Sequence, residues 1–469
     1  MLELFHPAIH PIDGGRSRRS FLQAGALALG GLTLPDLLKA KEDAQSTGGY
    51  LKDKSVVFVF MHGGPPQTET FDPKMNAPSG IRSAIGEIPT TLPGITFGSA
   101  LPKLAKRAHQ MAVVRSFQTG DQIHDIKPIV GKESLQANLG SLYARVAGTH
   151  RPATGVPTNV ALFPRAVDSE AMPSVRLFGD FDASGTLGQA YAPLVAGSDG
   201  GVQADMQLAI AQERLHDRRQ LLGRLNQLRR QFEDPRRTQG LDPFQAQAFD
   251  TILGGAAQAF DLNQESPKTI ARYDTRGLVP LGSIDHRWNN HPRYRDHVQT
   301  LGHLMLMARR LCEAGVGFVT VTTNFVWDMH ADANNATVEE GMYYCATPFD
   351  HAIAAFLDDV KERGLSEKIL LVCCGEMGRT PRINKNGGRD HWGDLAPLMI
   401  AGGGLKMGQV IGQSNRDASE PSSTPITQQD LIATIMHTLL DTGEVRTQPG
   451  VPRDVISAVT GGSPISELV

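Results

Sequence analysis

Apolar and polar residues along the chain follow a pattern that is typical of alternating strands and helices. Short runs rich in Val, Ile and Phe, without polar alternation, predict buried strands. These runs lie at 55–60, 111–116, 158–164, 316–323, 367–374 and 396–404. Longer segments with helical spacing of apolar residues lie at 298–315, 347–364 and 424–440. The sequence therefore predicts an α/β fold, a doubly wound and mostly parallel sheet flanked by helices.

Helix boundaries are signalled most clearly near the end of the chain. Thr427 and Asp430 stand at the spacing of a capping box, in which each side chain bonds the other residue's backbone N–H. We therefore expect a helix to begin directly after Thr427.

The first 45 residues differ from the rest of the chain. Arg18 and Arg19 precede a weakly apolar run that is too short to span a bilayer, the arrangement of an export signal. The pair looks like a twin-arginine signal, which predicts the twin-arginine export machinery as a partner and a periplasmic or otherwise exported location. Cleavage is expected near Ala40 or Ala44. A chance Arg pair ahead of a buried helix is the alternative.

Residues 46–469 are expected to form a single domain. A stretch at about 200–265 combines dense charge with helical spacing of apolar residues, which predicts a mostly helical insertion. We expect its Arg clusters to form a solvated face. No later segment approaches the ~18 consecutive apolar residues of a membrane-spanning helix, so no stable span is expected in the mature protein.

Composition and charge exclude several classes of function. The hydrophobic fraction of 40% and the charged fraction of 20% are those of a globular protein. A net charge of -3 provides no footprint for a polyanion, so no nucleic-acid partner is expected. The four Cys show no CxxC or Cys/His spacing, which argues against a disulfide framework or a structural zinc site.

Acidic residues and His gather where predicted strands end. In an open α/β sheet, ligands bind beyond the carboxyl ends of the strands. Side chains able to bind a metal follow four separate strands: His62; His124; Asp328, His330 and Asp332; and Glu376 and His391. Mixed nitrogen and oxygen ligands suit zinc, manganese or iron, or calcium and magnesium where oxygens dominate. The pattern predicts a divalent metal site, although a surface loop would explain the Asp-His-Asp triplet alone equally well.

One loop, 375–392, also carries several cations. A guanidinium at Arg379, close to carboxylates and a metal, would suit the binding of a phosphate or sulfate oxygen. The alternative is that Arg379 simply neutralises Glu376. Lys385 and Arg389, farther along the loop, are expected to be solvated, and Asp390 is a possible partner for a metal ligand.

Four stretches of this chain resemble the bacterial family known as domain of unknown function 1501. They are MHGGPPQTETFDPK at 61–74, WDMHAD at 327–332, GEMGRTPRINKNGGRDHW at 375–392 and AGGGLKMGQVIG at 401–412. The resemblance covers roughly residues 50–445 and includes the twin-arginine start. It suggests a planctomycete-like bacterial source. The family is placed near the alkaline phosphatase and sulfatase superfamily, which implies that superfamily's fold and a metal site at the strand ends.

The resemblance also implies roles for individual metal ligands. His62 stands where the superfamily usually has a metal-binding Asp, and Glu376 stands where it has the Asp of an Asp-His-Gly motif. The other implied ligands are Asp328 with His330 or Asp332, and His391 as the late His.

The nucleophile of that superfamily is harder to place. The sulfatase motif, Cys or Ser followed by x-Pro-x-Arg, is absent from this chain. Ser116 and Thr119 lie about where a phosphatase nucleophile would, at a helix N-terminus that favours an anion. His124 could be a base or a metal ligand, and a metal-activated water would serve instead of a side chain.

Three functions are compatible with these features. The first is an exported, metal-dependent hydrolase of sulfate or phosphate esters, acting on a small-molecule or polysaccharide substrate. The second is a metal-stabilised binding or scaffold protein without turnover, which the missing nucleophile motif favours. The third, a redox enzyme, is less favoured because no dinucleotide-binding fingerprint is present.

Overall fold

The computed structural model describes residues 49–151, 154–196 and 255–469. The predicted export signal, with Arg18, Arg19, Ala40 and Ala44, lies outside these residues. So does most of the helical insertion that the sequence predicts at about 200–265.

Short strands and helices alternate along the described residues. The strands are β1 (Ser55–Phe60), β2 (Glu87–Pro89), β3 (Thr96–Gly98), β4 (Ala112–Val114), β5 (Asn159–Leu162), β6 (Leu194–Ala196), β7 (Phe318–Thr322), β8 (Ile369–Cys374), β9 (Gly378–Arg379), β10 (His391–Trp392), β11 (Leu398–Gly402) and β12 (Gln409–Ile411). The α-helices are α1 (Pro102–Ala105), α2 (Leu139–Ala147), α3 (Gly255–Phe260), α4 (Pro267–Tyr273), α5 (His291–Glu313), α6 (Val338–Glu362), α7 (Gln428–Leu439), α8 (Thr442–Val445) and α9 (Arg453–Thr460).

Eight of these strands form the central sheet, in the order β12-β4-β11-β8-β1-β7-β5-β6. Neighbouring strands are parallel except at β11, which is antiparallel to both β4 and β8. The chain reaches β11 from β8 through the short β9–β10 ribbon, and without a crossover helix it returns in the opposite direction. The predicted mostly parallel sheet is therefore confirmed, with one reversed strand.

Helices cover both faces of the sheet. Alternate residues of β1 point to opposite sides, because side chains in a strand have a period of two. Val57 and Val59 pack in the same apolar cluster as α5 and α6, whereas Phe58 and Phe60 pack in the cluster that includes α2 and α7. The prediction of a sheet buried on both faces is thus confirmed. Among the described helices, none has the length and apolar character that crossing a membrane requires.

The predicted helices are present, but two begin earlier than the apolar pattern indicates. α5 begins at His291, and its polar first turns hide the start. α6 begins at Val338, and its early part was missed because Pro348 is typical of a helix start. α6 also continues through Pro348, which the sequence analysis placed at its beginning. The capping box is confirmed: the side chains of Thr427 and Asp430 each accept the other residue's backbone N–H at the start of α7.

The loop between β9 and β10 contains a buried ion pair that the sequence analysis missed. We expected Arg389 to be solvated, and this expectation is wrong. Its side chain is fully buried and donates to the carboxylate of Glu69, which is also fully buried. Lys385, by contrast, is exposed as expected. The pair therefore fixes the loop two residues before His391.

α5 lies unusually close to the end of α4. A Cβ atom added at Gly302 would lie 1.7 Å from the backbone oxygen of Tyr273. The backbone N–H of Gly302 also donates to the hydroxyl of Thr275, at 3.2 Å. Since only glycine leaves room for this approach, Gly302 sets the position of α5 against α4.

Arg389→Met tests the buried ion pair. It leaves the carboxylate of Glu69 buried without its counter-charge, which costs about 3–5 kcal/mol. We expect the free energy of unfolding, measured by denaturant titration, to fall by that amount. Lys385→Met removes an exposed cation from the same loop and should change stability by less than about 0.5 kcal/mol. Equal stability of the two variants would contradict the pair.

Gly302→Ala tests the close packing of α4 and α5. Ala favours a helix over Gly by about 1 kcal/mol, but overpacking costs roughly 1–3 kcal/mol, so we expect a net loss of stability. Thermal unfolding measures the change. Gly282→Ala is the control, since nothing lies within 4 Å of an added Cβ there. A Gly302→Ala protein more stable than the parent would show that the helices are farther apart.

Candidate metal centre

Loops that follow four parallel strands meet at one edge of the sheet. β1, β7 and β8 are parallel neighbours, so their carboxyl ends lie side by side, and β4 runs in the same direction. The loop after β4 carries His124, and the loop after β7 carries Asp328 and His330. The β9–β10 ribbon follows β8 and places His391 opposite Arg379.

Two of these loops are bound directly to each other. The backbone N–H of Arg389 donates to the carbonyl of Met329, at 2.9 Å. The side-chain amide of Asn384 donates to the carbonyl of His330, also at 2.9 Å. These bonds on either side of His330 bring it next to His391.

Three imidazoles converge on one carboxylate. His124, Asp328, His330 and His391 each offer a ligand atom, and these four atoms lie within 4.8 Å of one another. The Oδ1 atom of Asp328 is 3.4, 2.9 and 3.6 Å from the Nε2 atoms of His124, His330 and His391, in that order. The Nε2 atoms of His330 and His391 are 2.6 Å apart. We call these four residues the His/Asp cluster.

The donor atoms of the His/Asp cluster fit a divalent cation. Three imidazole nitrogens and one carboxylate oxygen are a ligand set typical of zinc and other borderline first-row metals. In addition, the Nε2 atom of His124 is buried and, among residues 49–151, 154–196 and 255–469, has no hydrogen-bond partner. A buried polar atom without a partner is costly, and coordination to a cation would satisfy it.

Glu376 orients His124. Its Oε1 atom lies 2.8 Å from Nδ1 of His124 and accepts the backbone N–H of Gly63, also at 2.8 Å. With a carboxylate as acceptor, the proton is assigned to Nδ1, which leaves Nε2 facing the cluster with a lone pair. This carboxylate–imidazole arrangement is the usual support of a metal-binding His. The Oε2 atom of Glu376 is buried without a partner.

Asp328 is fixed by two further side chains. Its Oδ2 atom accepts the side-chain amide of Asn335, at 2.9 Å. Its Oδ1 atom accepts Nη2 of Arg379, at 2.5 Å. The sequence analysis left open whether Arg379 binds an anion or neutralises Glu376; in the structure its ion pair is with Asp328.

Arg379 is fully buried, and backbone carbonyls of two loops occupy its other donors. Its Nη1 atom donates to the carbonyl of Arg389, at 3.2 Å. Its guanidinium donates to the carbonyls of Gly63 and Gly64. Gly63 has a φ of 112°, and an added Cβ would lie 2.5 Å from the backbone nitrogen of Asp328. The glycine turn thus allows the loops after β1 and β7 to approach closely around Arg379.

Charges and burial favour the metal-binding protonation states of Asp328 and His391, whereas without a bound cation they favour the protonated form of His124. Burial opposes the ionised form of Asp328, but the guanidinium of Arg379 and the neighbouring imidazoles outweigh it and hold the pKa of Asp328 well below its usual range. Burial lowers the pKa of His391. Burial also acts against the charge of His124, yet the carboxylates of Asp328 and Glu376 reverse the effect and raise its pKa.

His62 lies in an aromatic environment that it shares with His124. Its ring is 4.9 Å from that of Phe325 and 5.9 Å from that of Phe178, and these two rings also contact His124. Burial lowers the pKa of His62 to about 4, so the ring is neutral. Its Nε2 atom is buried without a partner. His62 is not part of the four-residue cluster, and its role as a ligand stays a prediction.

Three other candidate residues lie apart from the His/Asp cluster. Asp332 is exposed, and its carboxylate accepts the backbone N–H groups of Asn334 and Asn335. The hydroxyl of Ser116 is buried without a hydrogen-bond partner. The hydroxyl of Thr119 lies 3.5 Å from the carbonyl of Gly393. Neither hydroxyl hydrogen-bonds to the cluster.

Sequence reasoning missed several residues that shape the site. Asn335 follows the WDMHAD stretch by three positions, and an amide so close to candidate ligands could have drawn attention. Phe178 and Phe325 have no such signal, because isolated aromatic residues in loops are common. Asp390, noted as a possible partner, has its Oδ1 atom 3.5 Å from Nδ1 of His330.

Comparison with known proteins gives one clear match. No curated protein matches the chain at a significant level. The chain has some likeness to the lipoteichoic acid synthase of Listeria monocytogenes, with 9% identity over 87% of this chain and 78% of that chain and a TM-score of 0.35. A phosphonate monoester hydrolase of Silicibacter pomeroyi has 13% identity over 88% of this chain and 78% of its own, with a TM-score of 0.32. A sulfatase of Pseudoalteromonas sp. has 11% identity over 93% of this chain and 75% of its own, with a TM-score of 0.35. At these identities and TM-scores, the likeness supports no conclusion about substrate or chemistry. The family model described as "Protein of unknown function (DUF1501)" matches residues 53–452, and the chain therefore belongs to the DUF1501 family.

Proposed function

We propose that this protein is a metal-dependent hydrolase of sulfate or phosphate esters. The observation that carries the proposal is the convergence of three imidazole Nε2 atoms on one carboxylate oxygen, at the edge of the sheet where α/β proteins bind ligands. The substrate would be a small-molecule or polysaccharide ester, and the twin-arginine-like start of the sequence supports an exported protein.

The proposed metal ligands are the four residues of the His/Asp cluster. Three nitrogen ligands and one oxygen ligand favour zinc or manganese over calcium and magnesium, which prefer oxygen ligands. A divalent cation would supply Lewis-acid polarisation of the ester and of an attacking water.

The surrounding residues prepare the ligands for this task. Glu376 holds His124 through Nδ1, so that the lone pair of Nε2 stays directed at the cluster. Arg379 keeps Asp328 ionised and, with Asn335, fixes both carboxylate oxygens. Arg379 therefore acts as a positioning residue, because its guanidinium is fully buried and its donors are occupied within the protein.

Aromatic side chains close one side of the site. The rings of Phe178 and Phe325 stack at 4.6 Å, and their centroids lie 5.1 and 4.9 Å from the ring of His124. An apolar wall excludes water and lowers the local dielectric, which strengthens the electrostatic interactions of the cluster.

Water is the proposed nucleophile. The hydroxyls of Ser116 and Thr119 make no hydrogen bond to the cluster, and the chain contains no sulfatase-type nucleophile motif. Hydrolysis by water needs no covalent intermediate. The water oxygen bonds to sulfur or phosphorus as the bond to the alcohol oxygen breaks, one proton of the water passes to that alcohol oxygen, and the other stays with the released anion or the solvent.

A metal-stabilised binding or scaffold protein without turnover is the second candidate. It is favoured by the same lack of a side-chain nucleophile. It predicts a bound metal but no chemistry, which separates the two candidates by experiment.

Metal analysis combined with ester turnover tests the proposal. We expect the purified protein to contain a first-row divalent metal by mass spectrometry and to hydrolyse 4-nitrophenyl sulfate or 4-nitrophenyl phosphate. A chelator should abolish turnover, and added metal should restore it. Replacing both His330 and His391 by Ala removes two ligands, so the loss of metal affinity should exceed the ~10–100-fold typical of changes to supporting residues.

His109→Ala is the control, because His109 is an exposed histidine outside the cluster. This variant should keep both metal and activity. Metal retained by the His330/His391 double variant would contradict the proposed ligands. Bound metal without turnover of either ester would contradict the hydrolase and favour the binding protein.

A further inference from the structure

A second guanidinium lies close to the site, and most of its donors have no partner among the described residues. Arg293 stands in the first turn of α5 and is half-buried. Its Nη1 atom donates to Oδ1 of Asn324, at 3.3 Å. Within the described residues, Arg293 makes no ion pair. A guanidinium has five N–H donors, so most of those of Arg293 are available to a ligand.

Three arginines of the described residues are fully buried, and all three are paired with carboxylates. The fully buried Arg309, Arg379 and Arg389 each have a carboxylate within 3 Å. Pairing is the general rule, because a cation removed from water needs a compensating negative charge. Arg293 is half-buried, and no carboxylate of the described residues pairs with it, so the negative charge of a ligand could do so.

The partner of Arg293 has an unsatisfied donor of its own. Asn324 is only 3% exposed, and its Nδ2 atom has no hydrogen-bond partner in the described part of the chain. Because Oδ1 accepts from Arg293, the amide orientation is assigned, and Nδ2 presents two N–H groups. Asn324 also has a φ of 54°, a conformation that Asn tolerates better than most residues. An orphaned donor next to an unpaired cation indicates a missing acceptor.

Both residues are close to the His/Asp cluster. Asn324 is followed by Phe325, whose ring lies 4.9 Å from the ring of His124. At the start of α5, the amide of Asn290 donates to Asn335, and Asn335 donates to Asp328. The N-terminus of α5 is therefore linked to the cluster through two hydrogen bonds, and its dipole adds positive potential there.

We propose that Arg293 and Asn324 form an oxyanion-binding subsite beside the metal centre, which binds oxygens of a sulfate or phosphate group. The proposal rests on the proposed function for the nature of the substrate. It assigns to Arg293 the anion binding that the sequence analysis expected of Arg379, whose donors are occupied. It also makes Arg293 a specificity-determining residue, because a neutral ester offers no charge for the guanidinium.

The test measures binding of inorganic phosphate and of inorganic sulfate to the metal-loaded protein by isothermal titration calorimetry. Arg293→Gln removes charge-assisted hydrogen bonds, so we expect the Kd of the better-bound anion to rise about tenfold or more. Arg293→Lys keeps the charge but loses the planar guanidinium, so its Kd should lie between those of the parent protein and of Arg293→Gln. The two anions distinguish a phosphate subsite from a sulfate subsite.

Asn324→Asp provides an independent variant. Asp tolerates the same backbone conformation, but its carboxylate would pair with Arg293 and repel an anion. We expect it to weaken anion binding at least as much as Arg293→Gln does. The matched control is Arg382→Gln, which removes an exposed cation from the β9–β10 loop and should leave the Kd unchanged.

Metal content and circular dichroism of every variant separate loss of the subsite from damage to the metal centre or the fold. Anion binding by Arg293→Gln as tight as that by Arg382→Gln would overturn the proposal. So would a metal-loaded parent protein that binds neither anion. Anion binding that depends on Arg293, in a protein that hydrolyses no ester, would retain the subsite and reject only the hydrolase.

Discussion

The carboxylate of Asp328 is the group around which the rest of the site is arranged. It is 4% exposed, and an ionised carboxylate removed from water is stable only when its charge and its lone pairs are compensated. The compensation comes from Arg379, from Asn335 and from three imidazoles on separate loops. These partners lie on loops that follow different strands. The charge of one side chain therefore connects loops that no helix or strand joins.

This arrangement determines how positive charge is distributed near the site. The guanidinium of Arg379 is used entirely within the protein, where it balances Asp328 and closes the glycine turn after β1. Arg293 pairs with no carboxylate of the described residues, and one hydrogen bond, to Asn324, leaves most of its donors without a partner there. A bound divalent cation would add further positive charge that the described site does not neutralise. The site is therefore electrostatically suited to an anionic ligand, which agrees with an ester of sulfate or phosphate.

The sequence was sufficient to predict six of the eight strands of the central sheet, the helices α5, α6 and α7, and the strand ends where ligands gather. All four members of the His/Asp cluster were among the candidates, since apolar runs and the polar residues after them are local features. Partners distant in sequence were not predictable: Arg379 binds Asp328 rather than Glu376, and Arg389 binds Glu69, which precedes it by 320 positions. Nothing in the local pattern distinguishes Arg293 from a solvated cation at a helix start.

The loop at 375–392 shows why local composition misleads. Its acid, its His and its cations look equivalent in sequence, yet each has a separate task in the structure. The ribbon register puts His391 opposite Arg379, and the buried pair of Arg389 with Glu69 fixes the chain just before His391. A histidine held this way loses little further freedom on binding a cation, so the ordering cost is met during folding. Buried charge in this loop would thus contribute to the affinity of the proposed site for a cation without contacting the cation.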